Sequence, residues 1–206
     1  MSASEWVPDG ADIDQLRRAA TDCKGCELWA PATQVVFSAG NPRASLVLVG
    51  EQPGDVEDRE GVPFVGPAGK VLQDALGQAG IDVSQVYVTN AVKHFRFTER
   101  GKRRIHATPL VSHIKACRPW LEAELRLVDS TLIVCLGATA AKALLGNDFR
   151  VTKQRGQVLD HDTPIGMRRV LATVHPSSIL RGDPAERESA LAAFVADLRT
   201  AGAEVG

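Results

Sequence analysis

Four short apolar runs, Leu46-Val47-Leu48-Val49, Val86-Tyr87-Val88-Thr89-Asn90, Thr131-Leu132-Ile133-Val134-Cys135-Leu136 and Val170-Leu171-Ala172-Thr173-Val174, recur along the chain with stretches of helical spacing between them. Runs of this length, rich in Val, Ile and Leu, read as strands buried on both faces. Strands that alternate with helices build a mostly parallel sheet, because a parallel neighbour is reached only through a crossover. The expected fold class is therefore α/β: a three-layer α/β/α sandwich with a mostly parallel four-stranded central sheet, as a single domain over residues 1–206. The 206 residues, 44% hydrophobic and 24% charged, supply one full core and require no second.

In an open sheet of this kind the loops beyond the carboxyl ends of the strands form the ligand crevice. The first run feeds Gly50-Glu51-Gln52-Pro53-Gly54 and then the turn-rich Gly61-Val62-Pro63-Phe64-Val65-Gly66-Pro67-Ala68-Gly69. The second ends on Asn90, and the fourth delivers His175-Pro176-Ser177-Ser178-Ile179-Leu180-Arg181. Glu51, Gln52, Asn90 and His175 thus converge on one crevice. Helical spacing predicts helices over residues 12–21, 70–79, 138–145 and 186–200, the second and third closed by Gly80 and Gly146. Thr108-Pro109 predicts another helix start, and Pro119 a break with a second start.

A formal charge of -1 gives no global sign of a nucleic-acid partner, so any such partner must be met by a local patch. One exists: Lys93, Arg96, Arg100, Lys102, Arg103 and Arg104 face a single acid, Glu99, with Phe95 and Phe97 interleaved. Cations neutralise phosphates and aromatic rings stack on unpaired bases, so this stretch is a candidate strip for single-stranded nucleic acid. Cys23-Lys24-Gly25-Cys26 lets two thiolates reach one metal centre, and Cys117 and Cys135 complete a set of four. Spacing alone leaves zinc and an iron-sulfur cluster both open. No run is long enough to span a bilayer and residues 1–10 lack the pattern of a leader, so no membrane role and a cytoplasmic location are expected.

The Gly50 to Gly54 and Pro63 to Gly69 loops, Thr89-Asn90-Ala91-Val92-Lys93 and His175-Pro176-Ser177-Ser178 together resemble the uracil-DNA glycosylase superfamily, in particular its iron-sulfur family 4. The four cysteines are similar to that family's ligand set for a [4Fe-4S] cluster, which the resemblance assigns to Cys23, Cys26, Cys117 and Cys135. Gln52, where family 4 usually has alanine, and the insertion ending in Lys102-Arg103-Arg104-Ile105-His106 resemble the UdgX branch, whose members excise uracil and stay joined to the DNA through the histidine of this loop.

The resemblance implies excision of uracil from DNA, single-stranded by preference, with free uracil as a product, and a covalent bond between His106 and C1′ of the emptied deoxyribose. His106, Glu51 and His175 are then catalytic: a neutral imidazole is a competent nucleophile, Glu51 orients it or takes its proton, and His175 stabilises the leaving base. Asn90 reads the base edge and Phe64 stacks on it, with Gln52 and Asp55 beside them as substrate-binding residues. Lys93, Lys102, Arg103, Arg104, Ser177 and Arg181 are assigned to the DNA. His94, His113 and His161 receive no role, and the protein is expected to act as a monomer. A water-using family 4 glycosylase and a non-catalytic DNA-binding module are the alternatives. A nucleotide-binding module is disfavoured, since Pro67 follows Gly66 where a phosphate loop needs Lys-Ser or Lys-Thr.

Overall fold

The apolar runs form the centre of the sheet and set its direction. The structure is a computed structural model describing residues 1–206. Its strands are β1 (Ser38–Gly40), β2 (Leu46–Gly50), β3 (Val86–Asn90), β4 (Phe97–Arg100), β5 (Arg103–His106), β6 (Leu132–Leu136), β7 (Val158–Thr163) and β8 (Gly166–Thr173). Its helices are α1 (Ile13–Ala20), α2 (Asp55–Glu60), α3 (Pro67–Ala79), α4 (Val111–Val128), α5 (Ala138–Leu145), α6 (Val151–Gln154), α7 (Pro176–Arg181) and α8 (Arg187–Ala203). The main sheet runs β1-β3-β2-β6-β8-β7. The four expected strands are its parallel centre, with Leu46 opposite both Val86 and Leu132 and Ile133 opposite Val170.

The sheet has six strands rather than four, because an antiparallel strand closes each edge. Neither edge strand announces itself as an apolar run. β1 has only three residues, and β7, Val158-Leu159-Asp160-His161-Asp162-Thr163, is polar in its last four residues and pairs in a hairpin with the partly exposed start of β8. Alternate residues of the central strands enter opposite layers, as the pleat requires. Val47, Val49, Ile133 and Val170 pack with Leu121, Leu125 and Leu144 of α4 and α5, while Leu46, Leu48, Val134 and Leu171 pack with Leu72, Leu76, Phe194 and Leu198 of α3 and α8. Each of these buried side chains contributes about 1.5–3 kcal/mol.

A third cluster ties the N-terminal segment to this frame. Leu16, Cys23, Cys26 and Leu28 pack on Cys117 and Trp120 of α4. Asp12 caps α1 by accepting from the Gln15 N–H at 2.8 Å, and Gln15 returns a bond to the Asp12 N–H. Glu27 meets Nε2 of His113 at 2.7 Å. The helix expected to break at Pro119 is continuous from Val111 to Val128. Proline inside a helix costs about 3 kcal/mol, and burial of Ala116 and Cys117 before it and Trp120, Leu121 and Leu125 after it offsets that cost. The same helix starts at Val111 rather than at Pro109, with the Leu110 N–H donating to Nδ1 of His113. No helix is long and apolar enough to cross a membrane.

Candidate active site

Because β2, β3, β6 and β8 are parallel, Gly50, Asn90, Leu136 and Thr173 end at the same edge, and whatever follows them meets there. Three groups come together there. A Cβ on Gly50 would lie 2.3 Å from Oδ1 of Asn90 and 2.6 Å from the Phe64 ring, so the glycine is what lets the amide and the ring approach. Oδ1 of Asn90 is buried without any hydrogen-bond partner. A buried orphan acceptor is costly and marks the place where a ligand N–H belongs. Phe64 has a positive φ of 57°, a conformation that costs a non-glycine residue of order 1 kcal/mol or more and gathers at functional sites. It is braced by close approach of α3, where a Cβ on Gly69 would lie 1.7 Å from the Phe64 carbonyl oxygen. Glu57 ties the two loops together, accepting from the N–H groups of Gly54 and Gly66 at 3.2 and 2.9 Å.

His175 faces Phe64, with ring centroids 5.9 Å apart. It caps α7: Nδ1 accepts the Ser177 N–H at 3.2 Å and lies 2.8 Å from the Ser177 hydroxyl. That bond places the imidazole proton on Nε2, which makes the ring a neutral donor. Burial holds its pKa down to about 4, with the nearby Glu51 carboxylate pulling the other way. Ser177 and Arg181, assigned to DNA from the sequence, are engaged here, since Arg181 donates to the Ser177 hydroxyl at 2.9 Å.

Glu51 stands between the pocket and His106. Its Oε1 lies 3.3 Å from Nε2 of His106, and its Oε2 accepts the Thr139 hydroxyl. Burial pushes its pKa up, but the bonds from His106 and Thr139 and the charge of the neighbouring histidines outweigh burial and leave the carboxyl below its ordinary value.

His106 sits at the end of a two-stranded hairpin, β4-β5, in which it pairs with Phe97. The basic stretch is therefore not an open loop. Gln52, expected to touch substrate, is buried and staples the base of the hairpin. Its Oε1 accepts the Arg96 N–H at 3.1 Å, and its Nε2 lies 3.1 Å from the Arg96 carbonyl, 3.2 Å from the Ala107 carbonyl and 3.0 Å from Nε2 of His106. Arg104, assigned to DNA, has only 14% of its side chain exposed and instead clamps the hairpin to α2 through Asp55 and Asp58. Asp55, expected at the substrate, serves the clamp, and also pairs with Arg59. The Arg104 guanidinium covers Phe95 and Phe97, at 5.5 and 5.0 Å, so these rings support the hairpin from within and are not free platforms for bases. Lys102 and Arg103 remain exposed.

Lys93, also assigned to DNA, is 1% exposed. Its ammonium pairs with the fully buried Glu124, which also accepts from Tyr87 at 2.8 Å and Thr89 at 3.0 Å. A lysine so placed is structural, because only its carboxylate partner makes a charge tolerable there.

Of the four cysteines, three come together. Cys23, Cys26 and Cys117 line one small pocket with His94, Lys93 and Trp120, whereas Cys135 points into the sheet core among Val47, Val49 and Ile133. The strand pleat fixes this: Cys135 alternates with Leu136 and Val134 across β6, on the face covered by α4 and α5. The sulfurs carry donors suited to anionic sulfur. The Trp120 indole N–H lies 3.2 Å from Sγ of Cys23, and the Lys93 backbone N–H 3.3 Å from Sγ of Cys117. No three Cys, His, Asp or Glu side chains close around a point as a mononuclear site needs. Three thiols and an imidazole are donors of the kind that a thiolate-bound metal group takes, and His94 rather than Cys135 stands beside the three. Thr139, His94, Glu57 and Glu124 are the residues that sequence reasoning missed. Only Glu57 left a local signal, standing three residues after Gly54 at the spacing of a capping box.

At the carboxyl edge of an open α/β sheet the chain thus gathers an aromatic ring, an unsatisfied amide, a neutral histidine donor and a carboxylate in contact with a second histidine. The model of the uracil DNA glycosylase superfamily matches residues 37–199, and the chain belongs to that superfamily. It is 38% identical over 160 residues to a type-4 uracil-DNA glycosylase of Thermotoga maritima, covering 77% of this chain and 78% of the relative. Proteins of the same name from Sulfurisphaera tokodaii and Archaeoglobus fulgidus are 33% and 32% identical, over 82% of this chain and 76% and 83% of theirs.

Proposed function

We propose that the protein excises uracil from DNA and then captures the resulting site covalently on His106. The observation that carries the second part is the contact of Nε2 of His106 with both Glu51 and Gln52 at the mouth of the pocket. A duplex stack hides the base, so the nucleotide enters flipped out or from a single strand, and a strand without a partner is preferred because no pairing is lost. Phe64 receives the ring face. Asn90 Oδ1 accepts the uracil N3–H, and Nε2–H of His175 donates to a uracil carbonyl.

As the C1′–N1 bond breaks, its electron pair leaves with uracil, and positive charge develops on the sugar. His175 stabilises the first charge and the Glu51 carboxylate the second. An imidazole nitrogen of His106 then bonds to C1′, Glu51 takes up the proton that the imidazole loses and yields it to solvent, and the uracil anion takes a proton from water on release. The protein works as a monomer, with Lys102 and Arg103 at the hairpin tip against the phosphates. Cys23, Cys26, Cys117 and His94 hold a [4Fe-4S] cluster, which supplies a cross-link between the N-terminal segment and α4.

The test is incubation with a uracil-containing single-stranded oligonucleotide beside a thymine control, followed by denaturing electrophoresis and assay of free uracil. A heat-stable, uracil-dependent shifted band together with released uracil is expected. Free uracil without a shifted band assigns the water-using reaction, and neither product overturns excision.

Two further outcomes are expected of the same assay. Arg104→Ala removes the clamp and leaves Asp58 buried without its cation. Adduct formation should fall about 10²-fold, as for other misplacements of reacting groups, while uracil release falls less, since the base pocket lies outside the hairpin. Equal losses in both readouts would show that the clamp serves the pocket instead. The pH profile of excision reports on Glu51, which must be charged, and on His175, which must be neutral to accept the Ser177 N–H. With its pKa near 4 and that of Glu51 also lowered, falling pH converts neither group until well below the usual histidine range. Uracil release should therefore hold its rate from pH 8 to about 5 and decline toward 4. A limb centred near 6.5 attributable to His175 would contradict the burial of that ring.

A further inference from the structure

Glu51 carries the charge on which the proposed reaction depends, and each of its oxygens has one neighbour. Oε1 faces Nε2 of His106 and Oε2 accepts the hydroxyl of Thr139. Thr139 is the second residue of α5, and the chain enters that helix through Gly137, whose φ of +92° turns it sharply out of β6. A Cβ on Gly137 would lie 2.9 Å from Cβ of His175, so the strand-to-helix junction is pressed against the other catalytic histidine. The turn therefore brings the start of an eight-residue helix, and the Thr139 hydroxyl with it, up to the carboxylate. A threonine serving its own helix would bond a backbone group of that helix. The only hydrogen bond of this hydroxyl goes to Glu51, 88 residues away.

We propose that Thr139 is a positioning residue for the Glu51 carboxylate. By holding Oε2 it fixes the rotation of the group so that Oε1 faces His106. Because it donates to the ionised form, it also keeps Glu51 charged within a half-buried site where desolvation works the other way. The inference rests on the reading of Glu51 as the group that stabilises the sugar cation and takes the His106 proton.

The full-length protein is compared with Thr139→Val, which keeps the shape and removes the donor, and Thr139→Ser, which keeps the donor. Uracil release and the shifted band are both measured in single turnover from pH 4.5 to 8, with circular dichroism and the melting midpoint confirming an intact fold. Thr139→Val is expected to slow both steps about 10- to 100-fold, part of what a general base contributes. Its acid limb should move to higher pH, because the lost hydrogen bond had favoured the charged carboxyl. Thr139→Ser should keep the wild-type limb and a rate within about threefold. A wild-type profile in Thr139→Val overturns the proposal, as does an equal slowing in both variants with the limb unmoved, which marks a steric role. Glu51→Gln separates the failures. An active Glu51→Gln overturns the reading of Glu51 itself, whereas an inactive one beside an unaffected Thr139→Val overturns Thr139 alone. If the wild type forms no adduct, uracil release still reports the limb.

Discussion

Replacing His106 by serine should abolish the covalent band while uracil continues to be released. Nε2 of His106 lies 3.3 Å from Oε1 of Glu51, and on the proposed reading serine in its place is too short and too weakly nucleophilic to reach the sugar carbon unaided. The residues proposed to hold the base, Phe64, Asn90 and His175 beside Gly50, lie outside the hairpin. Loss of His106 opens room for water beside Glu51, and the carboxylate can activate it. Adduct should fall below detection, at least about 10²-fold, with uracil release within about tenfold of the wild type. The measurement is the denaturing gel with a parallel count of free uracil. Retention of a heat-stable band in His106→Ser would place the covalent link elsewhere and remove the proposed role of the hairpin.

The second large effect concerns stability. Lys93→Met should lower the unfolding free energy by about 3–5 kcal/mol, because Glu124 is then left charged or protonated in the core with its cation gone. Both members are essentially inaccessible, at 1% and 0% side-chain exposure. The donors that remain, Tyr87 and Thr89, satisfy hydrogen bonds but not charge. For a chain of this length, the loss corresponds to about 10 °C in melting temperature. Lys93→Met combined with Glu124→Gln should recover most of it, since an uncharged pair has no ion to desolvate. Urea unfolding of the two variants gives the comparison. A Lys93→Met protein as stable as the wild type, but weakened in DNA binding, would return Lys93 to the role its basic neighbours suggest.

That contrast explains how far the sequence could be read. Buried parallel strands are self-evident in composition, because a strand covered on both faces has to be apolar throughout. The loops that follow them were legible for the same reason, and Glu51, Asn90 and His175 lie where strand direction puts them. What a charged side chain does is decided by residues distant in the chain. Lys93 and Arg104 stand in one basic run, yet their partners are Glu124 on α4 and Asp55 and Asp58 on α2. No periodicity within the run distinguishes them from the exposed Lys102 and Arg103. Likewise, the resemblance implied Cys135 as the fourth ligand, whereas the pleat of β6 turns it into the sheet core and His94 lines the small pocket beside the other three. Pro119 misled in the opposite sense: a local rule predicted a break that burial on both sides of the proline overrides.

The hairpin bearing His106 forms a sheet of its own, and its strands contribute nothing to the three hydrophobic clusters. It is held on by an amide, an arginine and two aspartates rather than by shared core packing. His106, the proposed nucleophile, is therefore carried on an accessory to a site whose other residues, Gly50, Phe64, Asn90 and His175, stand outside it. Such a layout is modular. On the proposed reading, a chain of this fold would gain or shed the capture step by insertion or deletion of about a dozen residues and adjustment of one amide, with Gly50, Phe64, Asn90 and His175 left untouched. It also suggests an engineering route, in which the hairpin tip is varied in length or charge to retune how the trapped strand is gripped while recognition of the base stays constant.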